Sequence, residues 1–570
     1  MNPILLEVLW NRLLSVANEQ QTALMRTAFS TIVRESQDLA CAVFDSRALM
    51  IAQSLTGTPG HINPMATGAR HFIEAFPPDT LNEGDVLVTN DPWMTSGQIN
   101  DLTVLTPVFK KGRVVAFFAN CCHAADIGGH ILSAETQDIF EEGLRIPIMK
   151  LFSEGEPNEV LFDIIRANVR TPEETVGDLY AQTACNDVGA RSLLQMMDEF
   201  DLDSIDPLAD EIISRSEKAM RDAIEKIPNG VYTNETYSDG FEEPLKLAVT
   251  VTVKDRDIDI DFAGSSPQSS RGINVVLNYT KGYASFAMKA AISPEVPHNE
   301  GAFRPVTITA PEGSILNCSE GAAVASRHLV GHFIPSLILG ALASAMPDGV
   351  LAGSADPGWM TIWRGTFESG RASNTTLFQM GGMGARPMKD GLNSTGFPSG
   401  VAGVPAEVFE ILTPVIQTKR ELRTDSGGAG TFRGGLGQAT EVHYRGQGDW
   451  SVSAMIDRTQ FSAPGLQGGG DGGKGEFRVD GKPHPPKTVL WLKPDQQVTI
   501  NPAGGGGYGS PFERDPEAVL NDVVHGYVSL EAAEKDYGVK IVFTGQKDSL
   551  VRLPSEYQID EETTKKLRNS

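Results

Sequence analysis

Asp101 and His123, at the outer ends of two neighbouring apolar runs, are the residues best placed to act on a carbonyl. The runs 101–109 (DLTVLTPVF) and 113–122 (RVVAFFANCC) are rich in Val, Phe, Leu and Thr, as strands are. Lys110-Lys111-Gly112 separates them and reads as a hairpin turn. With the turn centred on Lys111, Asp101 faces Cys121, and alternation puts Asp101, Cys121 and His123 on one face. Asp101 and His123 are then diagonal neighbours, with Cα atoms about 7–8 Å apart, and both side chains reach one ion. A carboxylate and an imidazole are part of a first-row metal site. Such an ion lowers the pKa of bound water toward about 7 and polarises a carbonyl.

Asp126-Ile127-Gly128-Gly129-His130 follows directly. Its two glycines let the backbone approach a ligand, and His130 is a candidate ligand or proton carrier. Asp91, in Asn90-Asp91-Pro92-Trp93, ends a strand where an Asx turn is expected. The tract 468–474 (GGGDGGK) imitates a phosphate loop, but Gly475 replaces the Ser or Thr that would hold magnesium. The tract 504–509 (GGGGYG) lacks the lysine, so no nucleotide-binding residue is assigned. Neither a G-x-S-x-G elbow nor an HExxH is present. Cys121 and Cys122 read as strand packing.

The elements around these residues imply a multi-domain α+β protein with mixed sheets. Residues 3–29 repeat apolar positions at spacings of three and four, a helix opened by Pro3. Residues 39–52 read as a hairpin, and 85–89 as a strand. Residues 158–200, 207–226, 278–292 and 327–346 read as helical. The expected division is 1–204, an N-terminal α/β domain bearing the hairpin; 205–229, a helical connector; 230–415, a central α/β domain; 416–513, a β-rich, Gly-rich domain; and 514–570, a helical tail with a frayed polar end. The 570 residues carry a net charge of −25, which repels nucleic acid and anionic lipid. Five cysteines, an odd number, point to a reducing compartment. The first residues carry no basic segment, and no apolar run reaches the roughly 20 residues of a membrane span. A cytoplasmic location is therefore expected.

Ten stretches in order carry a resemblance. They are RTAFSTIVRESQDLACAVFD (26–45), TNDPW (89–93), DLTVLTPVF (101–109), HAADIGG (123–129), EEGLRIP (141–147), IIRANVRTPEE (164–174), GDLYAQTACNDVGAR (177–191), NEGAFRPVTITAPEGSILN (299–317), DSGGAGTFRGGLG (425–437) and GGGGYGSP (504–511). Together the chain resembles the hydantoinase B/oxoprolinase family, nearly end to end. The resemblance implies a cyclic amide substrate, such as hydantoin, 5-oxoproline or another lactam. It also implies a larger hydantoinase A-type partner that binds ATP and magnesium, an α2β2 assembly, and bicarbonate as a candidate co-reactant. A sister branch carboxylates acetone or acetophenone; a non-catalytic scaffold is the remaining alternative. In that branch a metal is held by an H-x-x-D and a following His. Asp101 and His123 match the last two positions, while Gln98 stands where the family usually has His.

An amide oxygen is a poorer ligand for zinc-like ions than imidazole. A divalent zinc, manganese or iron ion would then recruit further groups, the candidates being His61, Asp38, Asp91 and His130. In the implied mechanism Asp126 or Asp91 is the general base. Gly128 and Gly129 present N–H groups to developing negative charge, and Arg34 and Arg145 contact an anion.

Overall fold

Antiparallel pairing of the apolar runs builds a seven-stranded sheet whose centre is the 101–123 hairpin. Its strands are β1 (Leu39–Asp45), β2 (Met50–Gln53), β3 (Val86–Thr89), β4 (Asp101–Lys110), β5 (Arg113–His123), β6 (Met149–Ser153) and β7 (Glu156–Pro157), in the order β2-β1-β5-β4-β3-β6-β7. The computed structural model describes residues 2–546, 549 and 551–569. Two compact units emerge from its contacts. One takes in the chain to Thr236, Lys246–Ile338 and Pro398–Val404; the other takes in Tyr237–Leu245, Leu339–Phe397 and the chain from Pro405. These units do not coincide with the five stretches read from composition.

Helices of the first unit are α1 (Pro3–Thr27), α2 (Thr31–Arg34), α3 (Pro59–Ala75), α4 (Glu159–Asn168), α5 (Pro172–Glu199), α6 (Asp206–Ile224), α7 (Leu277–Ile292), α8 (Glu300–Phe303) and α9 (His328–Gly331). The stretch expected to be helical over 158–200 is two helices, α4 and α5. Pro172 cannot continue the preceding turn and instead opens α5 at its first position. The expected connector helix α6 is core material: Leu208, Ala209, Ile212 and Ile213 pack with Leu9 and Leu13 of α1 and with Phe118 of β5.

Strand alternation gives β5 two different faces. Phe117, Ala119 and Cys121 pack on Ile62, Met65 and Ala69 of α3. Asn120 points the other way, into a buried amide cluster. Its side-chain N–H groups reach Asn186 Oδ1 at 2.7 Å, and its own oxygen accepts from Gln182 at 2.8 Å. Gln20 also donates to Asn186 Oδ1, at 2.7 Å, so α1, α5 and β5 are locked in one register. A second sheet, β11-β10-β9-β8, is formed by β8 (Gly230–Ser238), β9 (Leu245–Lys254), β10 (Asp257–Asp261) and β11 (Val306–Thr309), with β10 and β11 parallel.

The hairpin register differs from the sequence-based one. Asp101 lies directly opposite His123, not Cys121. Lys110 pairs with Arg113, so the turn is the two residues Lys111 and Gly112, both in the left-handed region (φ 52° and 72°), as a type I′ turn requires. A register shift between Val108 and Phe109 then moves the outer pairs by one more residue. Two offsets of one residue restore the face, so Asp101, Cys121 and His123 still share it.

In the second unit two sheets, β13-β12-β16-β19 and β14-β15-β20-β17-β18, comprise β12 (Trp359–Thr366), β13 (Ala372–Gln379), β14 (Val415–Leu422), β15 (Gln438–Tyr444), β16 (Gln447–Met455), β17 (Glu476–Val479), β18 (Lys482–Pro483), β19 (Lys487–Leu492) and β20 (Val498–Asn501). The glycine tracts are not loops around these sheets. N–H groups of Gly504, Gly505, Gly506 and Gly507 donate to Gly473, Gly435, Gly353 and Gly470 in turn, each at 2.8–2.9 Å. The first and fourth bonds return to one segment, a three-residue period like that of a polyproline II-type helix among neighbours. A Cβ on Gly504 would stand 1.7 Å from Ser426 O, and one on Gly507 2.1 Å from Ala429 O. Only glycine fits this backbone-on-backbone core, as at the collagen axis.

The polar end expected to fray is ordered through residue 569. Tyr557–Ile559 pairs with Ile541–Phe543, and Glu561–Asn569 is helical. Tyr557 anchors it beside Val519 and Tyr537. Among the described residues no helix is long and apolar enough to cross a membrane.

Candidate active site

Asp101, with none of its side chain exposed, is the hub of a buried ionic cluster in the first unit. Three elements deliver its partners. The hairpin places His123 opposite, and His123 Nδ1 donates to Asp101 Oδ1 at 2.9 Å. The first turn of α3 brings His61, whose Nε2 lies 3.2 Å from Asp101 Oδ2 and whose Nδ1 lies 3.7 Å from Asp38 Oδ1. Asp38 directly precedes β1 and accepts from the Thr58 hydroxyl at 2.9 Å. The turn before α9 brings Arg327, which pairs with Asp101 Oδ2, donates to Gln98 Oε1, and reaches Ser96 O at 2.7 Å. Ser96 Oγ donates to Asp101 Oδ2 at 2.9 Å. The guanidinium lies 4.2 Å from the centre of the Tyr279 ring. Tyr279 in turn closes on α3, where a Cβ at Gly60 would meet its ring at 2.4 Å.

Four donors therefore converge on one carboxylate. Burial alone would raise the pKa of Asp101, but Arg327 and His61 outweigh it and hold the group well below the usual carboxylate range. Burial pulls His61 down, yet Asp101 and Asp38 together carry it above its ordinary value. His328 is buried with neither ring nitrogen hydrogen-bonded. Burial, His332 and Arg327 keep its pKa well below the ordinary value. Glu142 supports the same loop: Oε1 accepts from Val324 N at 2.6 Å and Ala325 N at 2.8 Å, and burial pushes its carboxyl up to about 7.

Of the residues singled out in the sequence, Asp38, His61, Gln98, Asp101 and His123 meet in this cluster. The others are engaged elsewhere. Asp126 Oδ1 pairs with the Arg170 guanidinium at 2.6 Å, and Oδ2 accepts from the Arg170 backbone N–H. Asp91 accepts from Arg145 Nε at 2.8 Å and from Trp93 N at 3.0 Å, the expected Asx turn with an ion pair added. Arg145 also reaches Glu320, and Arg34 pairs with Glu35. His130 is exposed and bonded to Ile131 O at 2.9 Å. Gly128 and Gly129 have positive φ, and a Cβ on either would come within 2.6 Å of Asn168 O or Gly143 N. Their glycine character serves backbone packing. Arg327 and Ser96 were not read from the sequence. The signal for Arg327 was an arginine heading the apolar run 329–342, since a charge at the start of a buried helix needs a partner.

The donor types suit a first-row ion, but their arrangement does not. Asp101 Oδ2 faces three donors and Oδ1 one, and Arg327 supplies the positive charge an ion would bring. The Gln98 oxygen faces Arg327 while its amide donates to Ala325 O. Among the described residues no group of three or more His, Cys, Asp or Glu side chains is arranged to hold a metal ion. What the cluster does offer is a carboxylate–imidazole pair: with Nδ1 donating to Asp101, His123 presents a buried Nε2 that has no hydrogen-bond partner. Such a nitrogen can accept a proton.

The family model described as Hydantoinase B/oxoprolinase matches residues 2–511. The caprolactamase subunit beta of Pseudomonas jessenii is 30% identical, over 96% of this chain and 98% of its own. The crystal structure of the ATP-dependent caprolactamase from Pseudomonas jessenii superposes with a TM-score of 0.89 at 26% identity, covering 100% of both chains. A nucleotide-free acetone carboxylase structure, 19% identical, shares the fold with a TM-score of 0.87, over 100% of this chain and 82% of that one.

Proposed function

Because the chain belongs to the hydantoinase B/oxoprolinase family, we propose that it is one subunit of an ATP-dependent enzyme that opens a cyclic amide by hydrolysis. The observation that carries this reading is the Asp101–His123 pair with its unpartnered Nε2. Resonance makes an amide a poor electrophile. In the proposed division of labour a separate, larger, hydantoinase A-type subunit binds ATP with magnesium in an α2β2 assembly. It activates the ring by phosphorylating the amide oxygen, or by forming carboxyphosphate from bicarbonate to carboxylate the ring nitrogen. The subunit beta of the caprolactamase supports a partner of this kind.

This chain then delivers water. His123 Nε2 takes a proton from the attacking water, and Asp101 holds the ring orientation and stabilises the imidazolium that forms. General-base catalysis of this kind contributes about 10²–10⁴-fold. Arg327, Ser96 and His61 act on the reaction only by holding Asp101.

The test is ADP release by the chain co-purified with its partner, on a panel of hydantoins, 5-oxoproline and lactams, with and without bicarbonate. ADP release matched by ring-opened product supports the reading and names the ring; dependence on bicarbonate selects N-carboxylation. Silence on every ring, with ADP release on a ketone plus bicarbonate, moves the chain to the carboxylase branch and refutes it. Metal analysis of the same sample tests the cluster: a stoichiometric divalent ion would require Arg327 to leave Asp101 and would draw its ligands from Asp38, His61, Asp101 and His123.

A further inference from the structure

A cavity of about 460 Å³ opens beside the first turns of α3 and the C-terminal end of α7, within the first unit. Its size is that of an ordinary small-molecule site, about 300–1,000 Å³. Leu14, Leu55, Ile62, Phe286 and Val296 supply apolar wall. It belongs to a different face of α3 from the Asp101 cluster: His61 turns to Asp101, while Ile62 and Asn63 line the cavity.

The wall also holds a buried cation. Lys289 is only 7% exposed, and its ammonium donates to Ser293 O at the end of its own helix. Among the described residues no carboxylate lies within ion-pair distance of it; exposed Glu295 is the acid that acts on it, from farther away. Four other buried cations sit directly on a carboxylate: Arg327 on Asp101, Arg433 on Asp522, Lys487 on Asp457 and Arg514 on Asp390. Besides Lys289 the wall carries exposed Glu295 at its rim and the uncharged Gln53, Ser54, Asn63 and His298; the Gln53 side-chain oxygen is buried without a hydrogen-bond partner. His298 Nε2 donates to Asn63 Oδ1 at 2.6 Å, and Asn63 donates to Gly282 O at 2.8 Å. Burial pushes His298 down to about 3 and Lys289 down to about 8.

We propose that this cavity binds a small monocarboxylic acid, its carboxylate on the Lys289 ammonium and its apolar body against Leu14, Ile62, Phe286 and Val296. A buried ammonium without a counter-charge is costly, and an anion that enters offsets that cost. A single ammonium matches a single negative charge. A phosphate dianion would leave a second charge in an apolar chamber, and an alcohol or amine would leave Lys289 as it is.

Calorimetry on the full chain, with hexanoate, hexan-1-ol and hexylamine as probes, tests this. Hexanoate is expected to bind at least tenfold more tightly than either of the others. Lys289→Met is expected to lose that preference while binding hexan-1-ol as the wild type does, showing an intact cavity. Should Lys289→Met fail to fold, Lys289→Arg keeps the preference and Ile62→Trp, which fills the cavity, abolishes binding of all three. No hexanoate binding, equal binding of the three probes, or an unchanged preference in Lys289→Met or Ile62→Trp would overturn the proposal. None of these readings depends on ring hydrolysis.

Discussion

Replacing Asp101 by Asn removes one charge and keeps the shape. The four groups aimed at Asp101 are His61, His123, Ser96 and Arg327, all donors in this geometry. An Asn amide sets two N–H groups against them and leaves Arg327, 3% exposed, without its carboxylate. Breaking a buried pair at one end costs about 3–5 kcal/mol, and the donor clash places Asp101→Asn at the upper end. Arg327→Met alone leaves Asp101 two imidazoles and a hydroxyl, and costs about 3 kcal/mol on the same scale. Together the two changes remove both charges, so the double variant should be less destabilised than the sum of the singles by about 2 kcal/mol or more, within the range for contacting residues. There is also a pH signature. The His61 pKa is raised in the folded state, so its contribution is complete below its ordinary value near 6.5 and fades as pH rises through the folded value. The cost of Asp101→Asn should therefore be larger at pH 6 than at pH 9. Because the chain forms two units, one global unfolding transition is not a safe reading. Hydrogen exchange of peptides from β4 and β5 reports the opening energy of this unit by itself. Single variants costing under about 1 kcal/mol, or a double variant additive within about 0.5 kcal/mol, would refute the account of Arg327 as the internal counter-charge.

Glu142, with its carboxyl near 7 against an ordinary 4.5, binds its proton more tightly folded than unfolded. Its contribution to stability therefore falls as pH rises from 4.5 to 7, by about 3 kcal/mol at about 1.4 kcal/mol per pH unit; Glu142→Gln should flatten that part of a melting-temperature profile. His123→Gln should lower ring-dependent ADP release by about 10²–10⁴-fold. Asp126→Asn, which breaks an ion pair with Arg170, should lower stability and leave turnover per folded complex near wild type. A Cβ on Gly505 would meet Met383 O at 2.3 Å, so Gly505→Ala should destabilise the second unit by about 3 kcal/mol or more. Gly448, with φ 69° and nothing within 4 Å, should cost only about 1–2 kcal/mol as Ala. Denaturation followed by tryptophan fluorescence from Trp359 and Trp450 separates these two cases.

What the sequence discloses about this site depends on how far each residue's constraint is local. Asp101 and His123 were legible because a hairpin binds residues 22 apart by alternation alone, and alternation survives register errors that come in pairs. The register itself was not read, although Pro107, a residue that a central strand admits mainly at a bulge, stands beside the shift between Val108 and Phe109. Arg327 lies 226 residues from its carboxylate, and no periodicity joins them. The ion pairs of Asp126 and Asp91 escaped the sequence for a related reason. Composition marks an acid in a turn but not the arginine that holds it, and here Arg170 and Arg145 do so from 44 and 54 residues away. The glycine tracts show the opposite case. Their spacing looks like loop chemistry when each is read singly, yet the three-residue period of their bonds appears only when four segments lie side by side. Each glycine there answers to a backbone carbonyl of another segment, so its constraint is as distant as that of Arg327 but leaves a compositional trace. A sequence reading is therefore reliable where the partner is a neighbour on the same hairpin. It is weak where a buried charge chooses its partner across the fold, and that choice is what tunes a carboxylate such as Asp101.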